Sequence, residues 1–452
     1  MRMTVGEIIA ACGGKLLCGD LNTLITSVST DSRKIQFGTL FVPIVGERTD
    51  AHSFINATFA AGAAATLTQE HDGMIDSHAW IRVQNTEQAL QRIAAVYRQR
   101  FHIPFVGITG SVGKTTTKEM VALALSGSFN VMKTEGNYNS QIGLPLTMFR
   151  ISDRHQAAVV EMGMSNFGEM SRLAQIAAPD YAVMTNIGIS HIEQLKTQQN
   201  ILNEKLHITD CFHKDSILFL NGDDALLAGL RGKPGIKIVW FGTASWCDFR
   251  AENIRTAASS TRFTLVMPGG SCEVELPALG LHNVTNALAA LAVARTLGVP
   301  MEKATAKLAE YRPLAMRQQI HHVSDVTIID DSYNASPDAI RGSVDVLCGF
   351  HTGKRIAVLA DMLELGDFSR QAHFDVGAYA ARAGVDIVLT VGERAREIAE
   401  GARSVNPDFV CYSFGDNTEA ITKLKSLLTG GDVVLVKGSR GMKTDQIVKA
   451  LL

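Results

Sequence analysis

Residues 105–120 read FVGITGSVGKTTTKEM, and the fold turns on what this stretch is. The apolar run Phe105–Ile108 reads as a buried strand. It leads into Gly110, Ser111, Val112, Gly113, Lys114, Thr115 and Thr116, and a helix-compatible segment carrying Lys118 and Glu119 follows. A strand that feeds a glycine-rich turn into a helix points backbone N–H groups at an anion, and the helix dipole favours negative charge there. Lys114 would reach the outer phosphates as a point charge, and Thr115 would offer its hydroxyl to Mg²⁺. The string departs from a strict GxxxxGK[ST] loop: it has Ile108 where glycine is called for, with Gly107 one place early. The plain alternative is a tight turn that happens to carry a lysine. The strand before it and the GKTTT run favour a nucleotide loop.

Outward from this loop the chain falls into three blocks. Residues 1–100 mix short strands (TLFVPIV, Thr39–Val45) with small Ala-rich helices (INATFAAGAAA) and a longer helix from Thr86 to Phe101 that ends in a basic turn. His102-Ile103-Pro104 closes that block. Residues 101–314 alternate apolar strands (HQAAVVEMG, YAVMTNIG, SILFLNGDD) with helices, the pattern of a mostly parallel sheet covered by helices. A β-rich stretch near residues 247–280 reads as an antiparallel insertion with a Gly-Gly hairpin turn. Residues 315–452 start a second βα series (VTIIDDSY, RIAVLADM, DIVLTVGE, FVCYSFG, DVVLVKGSR), a doubly wound unit with its polar residues at strand carboxyl ends. The expected fold is therefore α/β in three domains: a small α/β N-terminal domain, a central P-loop-type, mostly parallel sheet with helices, and a Rossmann-like C-terminal domain.

Composition narrows the function classes. The 452 residues are 46% hydrophobic and 19% charged, which describes a folded globular chain. With 43 basic and 45 acidic residues the net charge is -2, so nothing electrostatic points to nucleic acid. No basic start followed by a long apolar core opens the chain, and no run of 18 apolar residues occurs, so neither a signal peptide nor membrane insertion is expected. The seven cysteines are scattered without a CxxC pair, which argues against zinc and disulfide frameworks. The expected location is the cytoplasm.

Two further residues carry chemistry. Glu161 ends the apolar strand of AVVEMGM, which puts a carboxylate at the sheet edge that carries the phosphate loop, where a cation would offset its burial. The alternative is a strand-end glutamate turned to solvent. His191, in TNIGISHIE, follows another strand at the same edge.

TGSVGKTTTKEM, TEGNYNSQIGLPLT, EMGMSNFGEM, TNIGISHIE, LGLHNVTNALAA, DDSYNASPDA, DMLELGDFS and VLVKGSRGM occur in the order seen in Mur ligases, and the resemblance covers nearly the whole chain. DDSYNASPDA with DMLELG resembles the branch that adds a D-Ala-D-Ala dipeptide; a DNPR-type motif of the neighbouring branch is missing. The resemblance implies ATP-dependent ligation of D-Ala-D-Ala to a UDP-N-acetylmuramoyl-tripeptide through an acyl phosphate, for peptidoglycan synthesis, by a monomer acting on small molecules. It implies that Lys114, Lys205 and His191 are catalytic, that Thr115 and Glu161 hold one Mg²⁺, and that His191 and a carbamylated Lys205 support a second. It implies ATP contacts from Gly110 to Thr116 and from Asn283, Arg317, Asp331 and Tyr333. For the muramoyl substrate and the dipeptide it implies Asp31, Ser32, Arg33, Asp50, His52, Thr134, Asn137, Asn139, Asn334, Lys437 and Arg440.

The chain departs from the family pattern at three places. His207 stands where the family has an acid two residues after the lysine, Ser140 stands for a second Asn, and Gln318-Gln319 replace an acid after Arg317. Alternative readings are a related amide ligase resembling folylpolyglutamate synthase, which shares the loop and the His, or a catalytically impaired nucleotide-binding paralogue. Since the ATP residues are divided between two blocks, a hinge is expected near Arg312–Ala315, with an open arrangement in the unliganded protein.

Overall fold

A computed structural model describes every residue except 47–48, 72–76 and 233–234. In the central sheet the strands lie in the order Gly270–Leu276, Thr261–Met267, Phe249–Thr256, Lys237–Gly242, Ile217–Asn221, Tyr181–Met184, Phe105–Thr109, Ala157–Glu161 and Val131–Lys133. The register from Lys237 to the Val131 edge is parallel throughout. Successive residues of the core strands serve opposite faces. Val106, Ile108, Val159 and Val183 pack with helices Lys114–Leu125 and Leu281–Thr296, while Phe105, Val160 and Met184 pack with the opposite layer. The β-rich stretch is not a separate insertion. Its first strand, Phe249–Thr256, pairs in parallel with Lys237–Gly242, and two antiparallel hairpin partners extend the same sheet past Gly269-Gly270.

The N-terminal sheet runs Lys15–Cys18, Ala79–Arg82, Ala63–Thr68, Thr39–Phe41, Ser27–Ser29. INATFAAGAAA is not helical throughout. The helix covers Ile55–Ala60, Gly62 follows with φ 106°, and Ala63–Thr68 is a buried strand between two neighbours. Alanine's helix preference is overridden there by burial in the sheet interior. Helix Thr86–Arg98 is capped by Asn85, whose side chain accepts from Gln88 N at 2.8 Å. It braces the block on the central one: Tyr97 donates to Ile151 O at 2.9 Å, and Arg98 to Ala177 O at 2.7 Å.

The C-terminal sheet runs Gln319–Val323, Val326–Asp330, Val433–Lys437, Arg355–Ala360, Ile387–Val391, Val410–Phe414. All but its first pair are parallel. The antiparallel edge strand Gln319–Val323 is invisible to a hydrophobic pattern because QIHHV is mostly polar; a turn with Ser324 at φ 53° pairs it to Val326–Asp330.

Candidate active site

Strand register assembles the site. Ile108 lies beside Glu161, and Thr109 beside Met184, so the loops that leave these three strands emerge together. In the C-terminal sheet Asp330 lies beside Val436, which brings Asp331 next to Lys437. The two sets of strand ends face each other across a cleft of about 460 Å³. Ser111, Val112, Gly113, Lys114, Thr115, Thr116, Glu161, His191 and Asn283 line it from the central block; Arg317, Asp331, Tyr333, Asn334 and Lys437 line it from the other. Gly188 and Asp338 also meet across the boundary, so closely that a β-carbon on Gly188 would lie 2.3 Å from Asp338 Oδ2. The molecule is thus closed, and the open arrangement expected without ligands is not the one observed.

The Gly110–Gly113 loop feeds the N-terminus of a helix. Helix Lys114–Leu125 begins at Gly113, which has φ 85° and supplies no side-chain cap. A side chain there would be strained and would also sit 2.9 Å from Asn286 Oδ1. The loop is tied to the next strand's exit: Ser111 N donates to Asn186 O at 3.1 Å, Val112 N to Asn186 Oδ1 at 2.8 Å, and Gly188 N to Ser111 Oγ at 2.9 Å. Lys114 Nζ folds back onto Gly110 O at 2.7 Å and Ser111 O at 3.2 Å. Burial lowers the Lys114 pKa, with Glu161 opposing that shift.

Lys205 is 2% exposed, and its Nζ donates to the same Gly110 carbonyl at 3.1 Å. Two ammonium groups therefore share one acceptor. Burial first, then the Lys114 charge, pushes the Lys205 pKa well below the ordinary lysine range. A buried amine driven toward its neutral form is a nucleophile for CO₂, which suits the carbamate that the resemblance implies. His207 is exposed, and its Nδ1 lies 3.0 Å from Asp210 Oδ1. It is a surface pair and does not bring a charge into the cleft lining.

Glu161 is buried; its Oε1 accepts from Asn139 Nδ2 at 2.7 Å, while its Oε2 is buried without a protein partner. An unpartnered carboxylate oxygen in a cleft that also contains the Thr115 hydroxyl fits a hard cation such as Mg²⁺. Thr134 is fully buried away from the cleft lining; its hydroxyl accepts from Glu161 N at 3.0 Å and its carbonyl from Lys118 Nζ at 2.8 Å. Thr134 and Asn139 thus hold Glu161 in place, and Asn137 and Ser140 line the cleft.

On the facing side, Asp331 has three partners from its own block. It accepts from Gln318 N at 3.2 Å, from Ser343 Oγ at 2.6 Å and from Lys437 Nζ. Arg317 stacks over the Tyr333 ring at 3.9 Å, and Arg440 lies 5.8 Å from the same ring without lining the cleft. Asn283 Nδ2 donates across the boundary to Gln318 Oε1 at 2.7 Å, so the glutamine that departs from the family pattern has a partner.

Asp31, Ser32, Arg33, Asp50 and His52 are not in the cleft lining. Arg33 grips both Asp31 oxygens at 2.9 Å, which lowers the Asp31 pKa to about 2. Asp50 accepts from His52 N at 2.9 Å, the main cause of its pKa near 2, and lies 2.6 Å from His52 Nδ1. Asp338 and Glu364 are among the cleft residues that carry no role in the sequence reading. Asp338 has its pKa raised by burial, and Glu364 has its own lowered by contact with His191. Glu364 stands inside DMLELG, whose sequence signal was read only as a family marker.

Comparisons with known proteins bear on all three blocks. The Mur ligase family catalytic domain matches residues 24–98, the Mur ligase middle domain 108–294, and the Mur ligase glutamate ligase domain 316–440. The UDP-N-acetylmuramoyl-tripeptide–D-alanyl-D-alanine ligase of Bacillus subtilis is 38% identical over 436 residues, 95% of this chain and 94% of that protein. Its counterpart in Escherichia coli is 35% identical over 456 residues, 100% and 98% of the two chains. A crystal structure of MurF from Acinetobacter baumannii superposes with a TM-score of 0.93 at 30% identity, covering 100% of this chain and 99% of that one. The Thermotoga maritima MurF ligase in complex with ADP gives 0.85 at 28% identity, covering 94% and 96%. With three family domains in order and full-length relatives at these identities, the chain belongs to the Mur ligase family.

Proposed function

We propose that this enzyme joins D-alanyl-D-alanine to UDP-N-acetylmuramoyl-tripeptide, with ATP converted to ADP and phosphate. The observation that carries the reading is the convergence in one cleft of the phosphate loop, Glu161 and His191 with Arg317, Tyr333 and Asn334 of the facing block. An oxygen of the tripeptide carboxylate attacks the γ-phosphorus, ADP leaves, and the dipeptide amine attacks the acyl carbon. The amide forms as phosphate departs and the amine loses its proton. The names of the full-length relatives supply the substrate pair.

The residues divide the work. Lys114 and the uncapped N-terminus of its helix hold the β- and γ-phosphates, and Lys114 counters charge that builds up on the transferring group. Thr115 and Glu161 would hold one Mg²⁺, with His191 and carbamylated Lys205 beside a second. Mg²⁺, when bound, supplies neutralisation of phosphoryl charge. Arg317 approaches the phosphates from the facing block, with Asn283, Asp331 and Tyr333 around the nucleoside.

We assign residues 1–100 to the UDP moiety through Asp31, Ser32, Arg33, Asp50 and His52, residues 101–314 to ATP, and residues 315–452 to the dipeptide through Asn334, Lys437 and Arg440. Closure about a hinge near Arg312–Ala315 would exclude water, the competing attacker on an acyl phosphate. The expected setting is a cytoplasmic monomer; among the described residues no helix is long and apolar enough to cross a membrane. Release of ADP is measured with UDP-muramoyl-tripeptides ending in lysine or diaminopimelate, with and without D-Ala-D-Ala. Turnover that needs both a tripeptide and the dipeptide supports the assignment; turnover with folate substrates, or none with either tripeptide, overturns it.

A further inference from the structure

His191 and Glu364 come from different blocks and meet at the cleft, with His191 Nδ1 2.7 Å from Glu364 Oε2. Nδ1 is buried, and apart from this contact, which falls short of hydrogen-bond geometry, it has no partner. Both residues have left-handed backbones, φ 62° for His191 and φ 63° for Glu364. Non-glycine residues hold such conformations only where surroundings enforce them.

Both sides are built to present these side chains. Met362 N donates to His373 Nε2 at 2.9 Å and Leu363 N to Ser439 Oγ at 2.9 Å, which fixes the loop just before Glu364. Gly366 packs on the turn that carries His191, where a β-carbon would lie 3.1 Å from Glu193 Cγ. The His191 loop is in turn tied to the phosphate loop through Gly188 and Ser111.

We propose that Glu364 is a positioning residue: from the C-terminal block it accepts the Nδ1 proton of His191 and so leaves Nε2 as the nitrogen free to ligate a cation in the closed molecule. A histidine that ligates a metal commonly donates its other N–H to a carboxylate, which fixes both tautomer and ring orientation. Here that carboxylate crosses a block boundary, so the histidine becomes a competent ligand only when the C-terminal block is docked. The inference rests on the reading of His191 as a cation ligand.

The test uses the full chain as parent, Glu364→Gln, Glu364→Asp, His191→Ala and, as a control, the exposed neighbour Glu193→Gln. Two-bond ¹H–¹⁵N spectra of the metal-free protein report the His191 tautomer. Titration with Mn²⁺ in the presence of ADP, with histidine-¹⁵N coupling to the bound Mn²⁺, reports ligation. The parent is expected to hold the proton on Nδ1 and to show the coupling. Glu364→Gln should lose the tautomer preference and weaken the coupled Mn²⁺ site about 10- to 100-fold, Glu364→Asp should recover part of it, and Glu193→Gln should match the parent. A tautomer and Mn²⁺ affinity unchanged in both Glu364 variants, with coupling still lost in His191→Ala, overturns the role of Glu364 alone. Coupling absent from the parent overturns the reading of His191 as a ligand, and the inference with it.

Discussion

Replacing Lys205 by methionine should stabilise the protein while abolishing ligation. Lys205 Nζ is buried, has one carbonyl partner and shares it with the Lys114 ammonium. Methionine fills a similar volume without a charge to desolvate. Gly110 O keeps Lys114 at 2.7 Å, so no acceptor is orphaned. Exchanges of buried charge for apolar side chains of matching volume stabilise by about 1–4 kcal/mol, and for a unit of about 150–250 residues each kcal/mol raises the melting midpoint by about 2–4 °C. The pH dependence has a definite sign. The folded-state pKa of Lys205 is depressed below the unfolded value of about 10.4. Below the folded pKa both states are protonated and the parent bears the full cost. As pH rises through the interval up to the unfolded pKa, the folded state sheds its proton first and the parent recovers stability. The advantage of Lys205→Met is therefore largest below the folded-state pKa of Lys205 and shrinks as pH rises toward the unfolded value. Thermal unfolding in CO₂-free buffer, at neutral and alkaline pH, measures it. Added bicarbonate should stabilise the parent, by converting an ammonium beside Lys114 into an anion, and leave Lys205→Met unchanged. A variant less stable than the parent at neutral pH, or one that still ligates, would refute the reasoning.

Lys114→Ala should lower ADP release about 100- to 1000-fold, the cost of one donor to a developing negative charge, with an unchanged melting curve; near-normal turnover would mean the loop holds some other anion. Gly110→Ala should destabilise the central block by about 1–3 kcal/mol, because φ is 143° and the added carbon would lie 1.9 Å from Thr185 Oγ1; a melting midpoint in circular dichroism equal to the parent's would contradict the packing. His207→Glu should change kcat less than about twofold and stability less than about 0.5 kcal/mol, since His207 faces solvent beside Asp210; strong activation or loss would show that its charge reaches the cleft.

How much of this was legible before any coordinates? The strand, turn and helix from Phe105 to Leu125 were, because they leave period and composition signals over a dozen residues. The common edge of Glu161 and His191 was, because the strand ends of a parallel sheet emerge together. What failed was local competition between elements. Ala63–Ala65 reads as the end of an Ala-rich helix and is strand by burial, and Gln319–Val323 joins a sheet through a hairpin that its polar sequence conceals. Thr134 reads as a ligand contact because it sits near the loop, yet it is buried outside the cleft lining with its hydroxyl on Glu161 N, whereas Asn139 both lines the cleft and donates to Glu161. One-dimensional spacing locates a residue near a site without saying whether it faces the ligand or a neighbour.

Backbone strain was the least legible feature, and it bears most directly on closure. Nine described residues other than glycine have positive φ, and His191, Met316, Gln318 and Glu364 are four of them. His191 lies on one side of the cleft, and Glu364 and Arg317, which Met316 and Gln318 flank in the chain, lie on the other. Each such conformation costs about 1–3 kcal/mol unless contacts enforce it. The enforcing contacts include pairs that cross the boundary: Glu364 to His191 and Asn283 to Gln318. Met316 instead is pinned within the C-terminal block, where its carbonyl accepts from Tyr333 N at 3.1 Å. Opening would remove the His191–Glu364 contact and the Asn283–Gln318 hydrogen bond, whereas Met316 O and Gln318 N keep their partners within the C-terminal block. His191 and Glu364 would then lose a contact that holds them, so strain released on opening offsets part of the interface energy lost. A closed state held by a margin narrowed in this way can reopen to release product, whereas an unstrained interface of the same contacts would hold more tightly. Strained residues at the cleft are, on this argument, part of what lets the two blocks exchange between assembling the site and emptying it.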